Sequence, residues 1–220
     1  MDSLTDERNT WFNAVRLEDS HDYSSATLAY LEDASRCLGS SLFIRAAMST
    51  ASAASCLVTT GDNEDAIQLY SAAASLYEHN ADVNIARSMR ESLWSLLHAF
   101  EYFTLISDHV SAERASKKYA DLARRVDRFE TRSAFETLKN RRDTVLVARS
   151  DLASTADIPL KGIPDSNRIQ LSMKSFLQQV QTVTLTRSDS EFFEEAKSDE
   201  EEDHLVYETE SDFHERSIVS

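Results

Sequence analysis

Three histidines, His79, His98 and His109, are the residues whose type would most directly support metal binding or proton transfer. Metal-binding histidines recur at short, fixed spacings that place two ligands on one face of an element, as in His-Glu-x-x-His. These three histidines have no such spacing, and the sequence has neither a glycine-rich phosphate loop nor a nucleophile elbow. We therefore expect no catalytic, cofactor-binding or metal-binding residues and a protein that is not an enzyme.

The two cysteines, Cys37 and Cys56, fall in apolar-periodic segments. They are expected near the ends of consecutive antiparallel helices, which places them at opposite ends of the pair. That separation exceeds the limit of roughly 7 Å between Cα atoms that a disulfide can bridge. Two buried, reduced thiols are therefore predicted, and they favour a cytoplasmic location.

Charge is distributed unevenly along the chain. The net charge is -15, yet residues 113–149 sum to +5 and residues 188–220 sum to -11. The acidic total argues against sequence-independent binding to nucleic acid, which needs a surplus of Lys and Arg. Of the 23 basic residues 17 are arginines, an imbalance that resembles that of salt-adapted archaeal proteins.

The basic segment supports two interpretations. The first is a solvated helix face with ion pairs such as Asp121 with Arg125. The second is a nucleic-acid-associated regulator whose basic face is held off by the acidic tail. The candidate basic face comprises seven residues: Arg124, Arg125, Arg128, Arg132, Lys139, Arg141 and Arg142.

Internal repetition is the most informative feature of the sequence, because a repeated pattern predicts the architecture that positions every other residue. An Ala-Tyr-Ala stripe at four-residue steps occurs three times: Ala26, Tyr30, Ala34; Ala66, Tyr70, Ala74; and Ala115, Tyr119, Ala123. Four-residue spacing is one face of an α-helix, and alanines allow facing helices to approach closely. Each tyrosine is expected to fill the gap toward the next hairpin.

The periodicity predicts seven helices, joined by turns rather than by long loops. Gly61 and Asp62 supply a left-handed helix end followed by a cap, and alignment to the stripes places His21 and Val110 at the equivalent turns. The predicted helices are residues 5–19, 23–38, 41–60, 63–79, 82–107, 111–127 and 129–152.

The second repeat carries a family resemblance. Small, large, glycine, acidic, alanine and aromatic residues follow in order at Ala54, Leu57, Gly61, Asp62, Ala66 and Tyr70. This order resembles the tetratricopeptide repeat, and the longer units are similar to the arrays of soluble NSF attachment proteins. The resemblance implies an all-α, right-handed array of antiparallel helical hairpins that binds other proteins.

The tetratricopeptide register further implies a groove lined by the first helix of each hairpin. The predicted groove comprises nine mostly apolar residues: Arg8, Trp11, Val15, Met48, Ala51, Ser55, Leu97, Phe100 and Thr104. An apolar groove suits an amphipathic helix or an extended peptide better than a charged peptide tail. The leading hypothesis is therefore an adaptor or scaffold whose partner is another protein.

Four segments are expected along the chain: the array at residues 1–154, a linker at 155–166 that contains both prolines, a helix at 167–186, and a disordered acidic tail at 187–220. Apolar residues recur at steps of four and three in the helix: Ile169, Met173, Phe176, Val180 and Val183. This stripe must cover something. Three surfaces could cover this face: the array of the same chain, which we favour, a second copy of the helix in a homodimer, or a partner protein. No segment is long and apolar enough to span a membrane.

Overall fold

The computed structural model describes residues 10–126, 131–154 and 166–185. In these residues the chain is all α, as the sequence predicts, with eight helices and no strand. The helices are α1 (Thr10–Asp19), α2 (Tyr23–Gly39), α3 (Phe43–Thr60), α4 (Asn63–Asn84), α5 (Met89–Leu105), α6 (His109–Val126), α7 (Thr131–Ser154) and α8 (Ser166–Leu185).

Each helix from α1 to α6 packs against the next one in the chain, and α7 packs against both α5 and α6. This is an array of helical hairpins. The residues up to Val180 form one compact unit, whereas Gln181–Leu185 belong to a second. Ser166, which the sequence places in the linker, begins α8. The rest of the linker and the acidic tail lie outside the described residues.

The alanine and tyrosine stripes form the core, as predicted. The six alanines are buried, and so are Tyr30 and Tyr70, while Tyr119 is half-buried. Tyr70 reaches both neighbouring helices: its hydroxyl lies 3.0 Å from Ser55 Oγ of α3, and its ring stacks on Tyr102 of α5 at 5.5 Å. The tyrosine therefore fills the gap between hairpins, as the sequence analysis expects.

Left-handed residues end four of the helices. His21, Ser41, Gly61 and Ser107 have positive φ angles. His21 and Gly61 are at the predicted turns, but the third turn is at Ser107, and Val110 lies inside α6. The positions of the capping residues explain the error. Asp22, Asp62 and Asp108 each accept a hydrogen bond from the backbone N–H three residues later. The first two lie four residues before the first alanine of their stripe, whereas Asp108 lies seven residues before its own, so the third turn is three residues earlier than predicted.

The boundary between α4 and α5 also differs from the prediction. The sequence analysis ends the fourth helix at residue 79, whereas α4 continues to Asn84 and α5 begins at Met89. Asn80 favours turns when its side chain bonds to local backbone. Here its Nδ2 donates instead to Ser95 Oγ of α5 at 2.9 Å, and Asn84 Nδ2 donates to Asn80 Oδ1 at 2.9 Å. The bond to Ser95 on the facing helix and the bond from Asn84 within α4 occupy the Asn80 side chain, so this segment stays helical.

The amphipathic stripe of α8 is covered. Ile169, Met173, Phe176 and Val180 are buried within the single chain, and Val183 is half-buried. Homodimerisation through this helix stays a prediction. No described helix combines the length and the apolar composition needed to span a membrane.

Candidate binding surface

The predicted groove residues have different environments. In the first two hairpins, Met48 and Ser55 are exposed, Trp11 and Val15 are half-buried, and Ala51 is buried. Arg8 lies outside the described residues. The first hairpins therefore offer a partner a mixed surface in which Met48 is the most accessible apolar side chain of the set.

On α5, the side chains exposed to solvent are not the predicted groove residues. Leu97, Phe100 and Thr104 are only 7 to 8% exposed. Because α5 packs against α4, α6 and α7, most of its circumference is occupied. The exposed side is the one that carries Trp94, which is 41% exposed, and the half-buried His98 and Glu101. A partner reaches Phe100 only if the atoms that cover it move.

A group of stacked rings connects this open side of α5 to α4. We call Tyr70, Tyr77, Trp94, His98 and Tyr102 the aromatic patch. Tyr77 stacks on Tyr102 at 5.9 Å and on His98 at 5.3 Å, and Trp94 meets His98 edge-on at 4.2 Å. Ring pairs of this geometry contribute about 0.5–1.5 kcal/mol each beyond burial. The exposed indole is therefore held in place by rings that are themselves fixed.

A polar chain supports the rim of the aromatic patch. His98 Nδ1 lies 2.9 Å from Glu101 Oε2, and the other oxygen of Glu101 lies 3.1 Å from Arg141 Nη1 of α7. Because a carboxylate only accepts hydrogen bonds, the proton of the first contact belongs to His98 Nδ1. One carboxylate thus fixes the imidazole and joins α7 to α5.

The tyrosines of the patch stay protonated over the physiological range. Burial, with the electrostatic influence of the nearby Tyr70 and Glu101, raises the pKa of Tyr102 to about 12. Burial, with Tyr102 and Glu101, raises the pKa of Tyr77 well above its ordinary value. The phenols therefore act as neutral rings and hydrogen-bonding groups rather than as bases.

Some residues of the predicted basic face form ion pairs. Arg124 pairs with Asp121 at 2.9 Å, and Arg141 pairs with Glu101. Arg125, Lys139 and Arg142 are exposed. Arg128 and the side chain of Arg132 lie outside the described residues. The structure thus places the described members on two helices, α6 and α7, and uses two of them in ion pairs.

An ion-pair ladder joins α4 to α6, and no sequence signal identifies it. Arg114 makes two bonds to the Glu78 carboxylate, from Nε at 2.9 Å and from Nη2 at 2.8 Å. One turn later, Lys118 Nζ lies 3.1 Å from Glu78 and 2.9 Å from Asp82. Burial raises the pKa of Glu78, but the bonds from Arg114 and Lys118 outweigh it, so the pKa lies below its ordinary value.

A second buried carboxylate, Asp33, joins the first three helices. It accepts hydrogen bonds from Thr10 Oγ1 at 2.7 Å, Ser49 Oγ at 2.7 Å and Arg36 Nη2 at 2.6 Å. Burial raises its pKa, but these bonds and the Arg45 charge lower it by more, so the net shift is downward. Asp33 is a structural connection rather than a reactive group, because its lone pairs are used by donors from three helices.

The sequence analysis overlooked Trp94, Tyr102 and the two buried carboxylates. Trp94, His98 and Tyr102 are spaced by four, a signal of one helix face that is visible in the sequence.

Among the described residues, no three His, Cys, Asp or Glu side chains are placed to hold a metal ion. Cys37 and Cys56 are buried free thiols. Comparison with protein-family models, curated proteins and solved structures finds no match for this chain.

Proposed function

We propose that this chain is a non-enzymatic adaptor or scaffold of the tetratricopeptide type that binds a helical or extended segment of another protein. The observation that supports it best is the exposed indole of Trp94 on a stack of fixed rings. Tryptophan is among the residues that contribute most to protein interfaces, and a fixed side chain loses little entropy on binding. Met48 on α3 is a further exposed apolar side chain that a partner could contact.

The test is affinity capture with the full chain and with Trp94→Ala. We expect the variant to recover at least about tenfold less of one and the same partner, which corresponds to a loss of about 1.4 kcal/mol. Trp94 is the better site for this substitution than Phe100, because truncating a buried phenylalanine changes stability as well as binding.

Val110→Ala is the matched control, since Val110 is an exposed apolar residue of α6 outside the aromatic patch. Both variants are first compared by thermal unfolding, so that a loss of folded protein is not mistaken for a loss of binding. Equal partner recovery by Trp94→Ala, Val110→Ala and the unmodified chain would contradict the proposal.

A further inference from the structure

A cleft of about 220 Å³ lies where α4 ends against α6. Ala81 of α4, Leu96 of α5 and Leu122 of α6 form its floor, and all three are buried. Lys118, Asp121 and Arg125 of α6 line it together with Asp82 and the partly exposed Ile85. An apolar floor with charged residues around it is the arrangement by which a pocket holds an apolar group and orients a polar one.

The ion-pair ladder explains why the cleft opens at this point. Glu78 pairs with Arg114, and Asp82 pairs with Lys118, so α4 and α6 run side by side in the same direction with a constant offset. The helix α4 ends at Asn84, whereas α6 continues to Val126. Beyond the ladder, the next turn of α6 has no complete helical turn of α4 opposite it, which leaves space above Leu122.

The charges around the cleft are balanced except at one position. Lys118 is paired with Glu78 and Asp82, and Asp121 is paired with Arg124. Arg125 is exposed and has no ion-pair partner among the described residues. The cleft therefore combines a buried apolar floor with one guanidinium that is available to a carboxylate.

We propose that this cleft binds one apolar side chain of an acidic peptide segment in a partner protein, while a carboxylate of that peptide pairs with Arg125. The volume lies below the roughly 300–1,000 Å³ of pockets that hold whole small-molecule ligands, so a single side chain is the fitting occupant. The contact is separate from the Trp94 surface and does not depend on it. It gives the chain a second recognition element, with specificity for acidic segments.

The probe is the synthetic peptide acetyl-Asp-Glu-Leu-Glu-Asp-amide, titrated into the full-length chain. Binding is followed by the methyl NMR signals of Ile85, Leu96 and Leu122. We expect saturable shifts of these signals and binding that is roughly tenfold weaker for Arg125→Gln, because the charged pair is lost. Lys117→Gln is the matched control, since Lys117 is an exposed cation of the same helix that does not line the cleft.

A second peptide, in which asparagine replaces the leucine, tests the apolar part of the contact and should produce no saturable shift. The proposal is overturned if the leucine peptide shows no saturation below about 10 mM, if Arg125→Gln binds it as tightly as the unmodified chain, or if both peptides bind equally. None of these results bears on Trp94→Ala, so this proposal and the proposed function fail separately.

Discussion

At the scale of single residues, the turns of the array depend on backbone conformations that most side chains avoid. In each of the four turns, the residue after the left-handed one donates its N–H to a carbonyl five positions earlier, as Asp22 does to Leu17 and Asp108 does to Phe103. This pattern satisfies carbonyls at the helix end, and glycine is the residue that adopts it at least cost. Only Gly61 is a glycine, so His21, Ser41 and Ser107 hold a less favourable conformation.

Ser107→Gly should stabilise the protein by about 1–2 kcal/mol. A non-glycine residue in the left-handed region costs roughly 1 kcal/mol, and the substitution also removes a buried hydroxyl. Among the residues that the structure describes, none forms a hydrogen bond with Ser107 Oγ. The measurement is the free energy of unfolding by urea.

Ser41→Gly is the control for this prediction. Ser41 has the same backbone conformation, but it is exposed, so only the conformational part of the gain is expected. If Ser107→Gly raises the free energy of unfolding no more than Ser41→Gly does, the buried hydroxyl of Ser107 does not destabilise the protein.

At the scale of helices, α8 is the element whose burial most needs an experimental test. Four apolar side chains on one face are buried in the single chain, and Phe176 is completely covered. An amphipathic helix gains most of its stability from such packing rather than from its own hydrogen bonds. The burial favours a role for α8 in the folded monomer.

Phe176→Asp combined with Val180→Asp should lower the melting temperature of the monomer. Losing a buried aromatic side chain costs about 3–5 kcal/mol, and burying a carboxylate adds to that cost. Leu171→Asp is the matched control, because Leu171 lies on the same helix and is 71% exposed. Thermal unfolding and analytical ultracentrifugation give stability and association together. Unchanged stability with a loss of self-association would instead identify α8 as a dimerisation helix.

At the scale of the whole molecule, two carboxylates are buried among the described residues of the array, Asp33 and Glu78. Asp33 joins α1, α2 and α3, and Glu78 joins α4 to α6, so between them these side chains connect most of the hairpins. The pKa of each lies below its ordinary value. Each is therefore more stable as an anion in the folded protein than in the unfolded chain.

Acid should unfold the protein through these two groups. A carboxylate with a depressed pKa stabilises the fold above its unfolded-state pKa, about 3.9 for Asp and 4.3 for Glu. That contribution is lost as the pH falls through the folded-state pKa. We expect the free energy of unfolding to decrease as the pH falls below about 4.

Asp33→Asn should cost about 3 kcal/mol at neutral pH and make stability less dependent on acid. The exposed Asp143→Asn is the control and should change neither quantity. Urea unfolding at several pH values checks this. An acid dependence that is the same in Asp33→Asn and the unmodified chain would contradict the assignment.

The sequence alone determined the features that depend on local periodicity. Apolar periodicity at steps of three and four predicted the eight helices that the structure describes, because residues three and four apart share a helix face wherever the helix packs. The turn at Gly61 was also predictable, since glycine and the following aspartate are local signals. The apolar stripe from Ile169 to Val183 predicted the burial of one face of α8 in the same way, and its first four residues are buried.

Tertiary structure decided which face of a helix meets solvent and which polar groups meet each other. The bond between Arg114 and Glu78 joins residues 36 positions apart, and neither residue carries a local signal that identifies the other. On α5, Trp94 is open and Phe100 is covered because three other helices occupy the remaining sides. Adjacent residues on a helix point about 100° apart, so a small rotation set by those neighbours exchanges the exposed side chains.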